Sequence, residues 1–239
     1  MRRQIALVAV VALVALAGCG GVLTDDGATD PSDDDPANDS EPEQAPTLES
    51  VAYPDGYDQD GISNASRALA THDAAITEAA GYELSATMRV SSGDETQELV
   101  MTSTVDNEAG TELSTLELSG SVAVYRAADG STYTRIDDGS NVQYETSRPD
   151  SYARLTMSQF QRSLADANLS ATSVSQEGST TLLTYSGDAG IELVVDTEGR
   201  IHSLSIEEGD VRADFSFDYG SVTVEEPDWL DDAKSESGA

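Results

Sequence analysis

The side chain with the most definite chemistry in this 239-residue sequence is its only cysteine, Cys19. Leu16-Ala17-Gly18 stand immediately before it. Small residues ahead of a cysteine let a lipoprotein signal peptidase close around the chain, and the freed sulfur then carries a lipid. The other reactive groups form no such pattern. His72 and His202 are the only histidines, and neither lies in an HxxxH or His–Cys spacing. The plain reading makes them partly buried structural residues; the sharper one, a zinc or acid–base pair, has no spacing behind it. Serines are plentiful, but no Gly-x-Ser-x-Gly elbow, phosphate loop or dinucleotide glycine pattern occurs. Forty-five carboxylates make chance pairs certain, so a glycosidase dyad has no footing. Asp55, Asp58 and Asp60 form part of a calcium-loop pattern without the remaining ligands or the closing Glu, which reads better as a polar turn. No catalytic residue, metal or cofactor is expected, and the chain reads as non-enzymatic. Asn38, Asn64 and Asn168 each open an Asn-x-Ser triplet and are candidate glycosylation sites, with Asn64 and Asn168 also suited to helix boundaries.

The stretch around Cys19 positions it for export. Arg2-Arg3 give a short basic start, and residues 5–17 are all apolar. That run is too short for a membrane-spanning helix, which needs about 20 residues, but it suits a signal peptide. Residues 1–18 are therefore expected to be the signal peptide, by a general or a twin-arginine route. Residues 19–50 are expected to be the lipidated cysteine and a tether. The tether holds Pro31, Pro36, Pro42 and Pro46, with ten acidic residues and no Lys or Arg. Such a segment is solvated and self-repelling, with a reach of roughly 30 Å. The expected location is the extracellular side of the cell membrane, with Cys19 as the anchor.

The formal net charge is −33, and eleven of the twelve basic residues are Arg. Self-repulsion of this size destabilises a compact chain in dilute buffer, whereas molar salt shortens the Debye length to about 3 Å. The composition resembles that of a haloarchaeal protein. Nucleic acid is excluded as a partner, because no basic patch exists to neutralise phosphates.

After the tether, Ile62, Ala65, Leu69, His72, Ile76 and Ala79 recur at helical spacing, with Ser63 or Asn64 as the cap. The period then changes to two. Tyr82, Leu84, Ala86, Met88 and Val90 open a series of alternating strands punctuated by Asp129-Gly130, Asp138-Gly139 and Glu198-Gly199. About six strands precede a break at 149–168, where Tyr152, Leu155, Phe160, Leu164 and Ala167 suggest one or two short helices. Five or six strands follow, including Val211–Tyr219, with Val222 and Val224 as a further edge strand. Pro227-Asp228-Trp229-Leu230 reads as a latch, and residues 231–239 as a disordered acidic tail. The aliphatic content suits one core over residues 51–230 rather than two.

The lipobox, the acidic linker, Tyr53-Pro54-Asp55-Gly56, Asp60-Gly61-Ile62-Ser63-Asn64-Ala65, Val195-Asp196-Thr197-Glu198-Gly199-Arg200-Ile201 and Phe217-Asp218-Tyr219-Gly220 resemble a family of haloarchaeal lipoproteins. The order of elements is similar, more remotely, to the LolA/LppX-type lipoprotein fold. That resemblance implies an α+β fold: a strongly curved antiparallel sheet of about 10–12 strands, an incomplete barrel, with an N-terminal helix and short central helices on its concave side. It also implies an apolar or lipid-like ligand in the concave face, near Phe160, Leu164, Phe215 and Phe217. The alternative is an envelope structural or protein-interaction module with a packed core and no ligand.

Overall fold

The computed structural model describes residues 46–92, 95–147, 157, 161–187 and 190–236. Helix α1 (Ala65–Glu78) leads into six strands: β1 (Gly81–Ser92), β2 (Glu95–Asp106), β3 (Thr111–Glu117), β4 (Ser121–Arg126), β5 (Thr132–Asp137) and β6 (Val142–Ser147). Helix α2 (Gln161–Asp166) precedes β7 (Ser170–Glu177), β8 (Thr180–Ser186), β9 (Ile191–Asp196), β10 (Ile201–Glu208) and β11 (Val211–Tyr219), and α3 (Leu230–Glu236) closes the described chain. The eleven strands form one antiparallel sheet in the order β6-β5-β4-β3-β2-β1-β11-β10-β9-β8-β7. It is two meanders joined where the first strand pairs with the last, and it is not closed, since β6 and β7 are its edges.

The local chemistry is what the sequence reading asks for. Asn64 caps α1, its Oδ1 accepting the Arg67 amide at 3.0 Å, which satisfies one of the unpaired donors of the first turn. Gly139 sits at φ +82 in the β5–β6 turn, where Asp138 Oδ1 accepts the amides of Ser140 and Asn141. Gly199, at φ +86 in the β9–β10 turn, lies so near α1 that a Cβ there would meet Thr71 Cγ2 at 2.5 Å.

Because opposite residues of paired strands share a side, the register defines two faces. One face carries Leu84, Phe217, Leu204, Leu193 and Tyr185, which form a core with Ala68 and Leu69 of α1 and Leu164 of α2. The opposite face carries a second, smaller core. There Tyr125 and Tyr133 pack with Leu230 and Ala233 of α3, and Trp229 stacks on Tyr144 with ring centres 6.2 Å apart. The helices therefore do not share one side.

Two local expectations are corrected. Residues 222–224 form no strand; Val224 instead packs into the second core beside Trp229. Both sides of β11 are already taken by β1 and β10, so no free edge is within reach of the chain leaving Tyr219. Residues 231–236, expected to fray, belong to α3, whose Leu230 and Ala233 are buried.

Candidate functional site

The register assembles a single row of side chains across all eleven strands on the α1 face: Ala171, Tyr185, Leu193, Leu204, Phe215, Ala86, Met101, Leu116, Val122, Ile136 and Gln143. From Tyr185 to Ala86 the row is buried beneath the helices. Met101, Leu116, Val122 and Ile136 continue it as half-exposed aliphatics, and Gln143 is exposed. Val124 flanks them, also half-exposed, while Met88, Val90 and Val211 extend the apolar surface toward the β1–β2 and β10–β11 ends at 36–40% exposure. Strands β3–β5 thus carry apolar residues on both faces. On one side α3 covers them; on the other they meet partial solvent.

Of the residues singled out in the sequence, Leu164, Phe215 and Phe217 come together in the core under α1. Phe160, Leu16, Ala17, Gly18, Cys19 and Asn38 lie outside the described residues. Asn64 and Asn168 are exposed; Asn168 follows α2 at φ +44, a left-handed conformation that Asn tolerates. Asp55 is paired with Arg67 at 2.7 Å, and Asp58 Oδ1 accepts the Asp60 amide, so two of the three carboxylates of the candidate calcium loop serve local structure.

The polar centre of the molecule is one the sequence reading missed. Asp196, 1% exposed at the end of β9, takes four hydrogen bonds. Its Oδ1 accepts the amides of Glu198 and Arg200, each at 2.9 Å. Its Oδ2 accepts Arg200 Nε at 2.6 Å and His202 Nε2 at 3.1 Å. Burial alone would raise its pKa; the hydrogen bonds from His202 and Arg200 and the guanidinium charge outweigh burial and hold the carboxyl at about 2. The β9–β10 register shifts between Ile201 and Ser203, a bulge at His202, whose ring lies edge-on to Tyr219 with ring centres 5.2 Å apart. The visible signal was the Asp-Thr-Glu-Gly-Arg turn, in which an Asp side chain folds back on the amides that follow it.

His72, fully buried on α1, accepts the Ile201 amide at Nδ1, 3.1 Å away, which places its proton on Nε2. That Nε2 has no hydrogen-bond partner among the described residues. The ring lies edge-on to Phe217, with ring centres 5.2 Å apart. Burial pushes the imidazole down to about 4, against the pull of the Asp196 charge.

A groove of about 740 Å³ runs along the outer side of α1, floored by Ala70, Thr71, Ala74 and Ala75. The ion pairs Arg67–Asp55 and Arg200–Glu198 stand at its rim. It opens to solvent and its rim is charged, so it offers no enclosure for an acyl chain.

No family model and no curated protein matches the sequence. The structure is remotely similar to solved ones. A LolA superfamily protein from Nitrosomonas europaea matches at TM-score 0.28 and 9% identity, covering 68% of this chain and 95% of that one. LprF from Mycobacterium bovis matches at TM-score 0.35 and 10% identity, covering 68% of this chain and 96% of that one.

Proposed function

We propose that this chain is a membrane-anchored, extracytoplasmic lipoprotein without catalytic activity that holds an apolar or lipid-like ligand on the α1 face of its sheet. The observation that carries the reading is the row of aliphatics that runs out of the core and is only partly covered. Met101, Leu116, Val122 and Ile136 are aligned with Phe215 and half-exposed. Contiguous apolar surface of this kind marks a place where another apolar body sits. Phe215, Phe217 and Leu164 close the inner end of the strip. The anchor rests on the sequence: the lipobox ending at Cys19 fixes the chain to the membrane, and the acidic tether carries the domain away from the surface.

The test is native mass spectrometry of the protein purified from membranes in molar salt, followed by solvent extraction. An apolar molecule is expected to travel with the native chain and to be lost from Val122→Asp, with secondary structure retained. If none co-purifies and a fluorescent fatty-acid probe does not bind, the ligand reading fails and the packed interaction module stands. Cys19→Ser is expected to move the chain from the membrane to the soluble fraction; undiminished membrane retention contradicts the anchor.

A further inference from the structure

Besides the exposed Arg67–Asp55 pair, helix α1 is fastened by hydrogen bonds at three places. At its start the Asn64 amide donates to the Gly56 carbonyl at 3.1 Å. At its end Asn107 Nδ2, just beyond β2, donates to the carbonyls of Ile76 and Ala79 at 2.8 and 2.9 Å. At its middle, His72 Nδ1 accepts the amide of Ile201, the first residue of β10. Of the contacts that tie α1 to the sheet, only the one made by His72 can titrate; the Arg67–Asp55 pair ties the helix to the loop before it and is exposed.

Protonation of His72 turns that acceptor into a donor. Two N–H groups would then face each other, in a site where Nε2 has no partner among the described residues and the ring is packed against Phe217. We propose that His72 makes α1 an acid-releasable cover: gaining a proton undocks the helix from β10 and bares the sheet beneath it, while the second core around α3 stays folded.

The surroundings fix the sign. Asp196, from the end of β9, attracts the proton, and His202, from β10, opposes it when charged. Asp196 does not serve as a free counterion, because Arg200 and His202 already hold it. Tyr57, ahead of α1, and Tyr219, on β11, are pushed up by burial and stay neutral. Asp73, the next residue of α1, is also pushed up by burial, so acid favours its docked form and works against release. An unfolded histidine titrates at about 6.5, and docked His72 at about 4. Docking is therefore at full strength above pH 6.5 and weakens as the pH falls through this window. At pH 4.5 the docking constant should fall on the order of 10- to 100-fold. This device depends on neither the anchor nor the ligand.

The test is hydrogen–deuterium exchange of the mature chain in molar salt at pH 7 and 4.5, corrected for intrinsic rates. Peptides covering α1 are expected to lose protection about 10-fold more than those of β4–β6 and α3 in the native protein. In His72→Gln, whose side-chain oxygen can still accept the Ile201 amide, that difference should shrink to about 2-fold or less. Equal loss in both proteins, or no selective loss in the native one, overturns the proposal. Should the variant fail to fold, NMR titration of the native chain decides. The His72 ring and the Ile201 amide should share one midpoint well below 6. An ordinary midpoint near about 6.5, or an Ile201 amide that does not follow His72, overturns it.

Discussion

The row from Tyr185 to Ile136 puts two halves of one sheet face under different regimes. On β8–β11 and β1 its side chains are closed off by α1 and α2; on β2–β5 side chains of the same apolar character are half open. The strand sequences obey the same alternation in both halves. The difference lies in what was laid over them, so the burial of a strand residue here is decided by the helices and not by the strand. Beneath the cover, each fully buried leucine is worth about 1.5–3 kcal/mol of transfer free energy, and half-exposure yields a correspondingly smaller share.

The sharpest way to break the comparison is truncation of matched residues. Leu193→Ala in the covered half should cost about 2–5 kcal/mol in denaturant unfolding at fixed molar salt. Asp196→Asn comes next. Removing a buried carboxylate that collects four hydrogen bonds should cost about 2–3 kcal/mol at neutral pH. Because its folded pKa is depressed to about 2, that advantage should vanish as the pH falls from about 4 through about 2 in a pH series. Leu116→Ala in the open half should cost about 1 kcal/mol. A loss equal to that of Leu193→Ala would show the two halves to be equally covered. Asn64→Ala removes the cap of α1 and should cost about 0.5–1 kcal/mol. It should raise amide exchange in α1 and not in α3; a uniform rise would contradict the separation of the two cores.

Much of this fold was legible in the sequence. Six strands, a break and five more follow from alternation and from turns such as Asp138-Gly139, and the cap at Asn64 follows from its hydrogen-bonding side chain. The failures have physical causes. Val222 and Val224 alternate like a strand, but alternation does not report whether a sheet edge is free to receive it. Leu230 and Ala233 give α3 too short an apolar stripe to be told from a tail, and only Tyr125, Tyr133 and Tyr144 on the far face make it a helix worth forming. The open strip depends on cross-strand register between β2 and β5, which no single strand contains. The Asp196 centre is built from a turn and a bulge, whose side-chain directions the alternation pattern does not report. Leu164, Phe215 and Phe217 could be read as apolar neighbours, but the sequence does not distinguish the residues under a cover from those beside it.

The pairing of β1 with β11 has a consequence for how the chain is made. Within each meander every strand pairs with the next in sequence, so contacts form as the chain emerges. The β1–β11 seam is different: Tyr82 meets Tyr219 across 137 positions of chain. Until β11 arrives, β1 has only β2 beside it, and its other edge is a row of unpaired amides and carbonyls. Alternating Glu83, Ser85, Thr87 and Arg89 along that edge keep one side of it wet while it waits. That seam closes the longest loop of any strand pair in the sheet and so carries its largest loop-closure cost, and an unpaired β1 edge is a template for pairing with another chain.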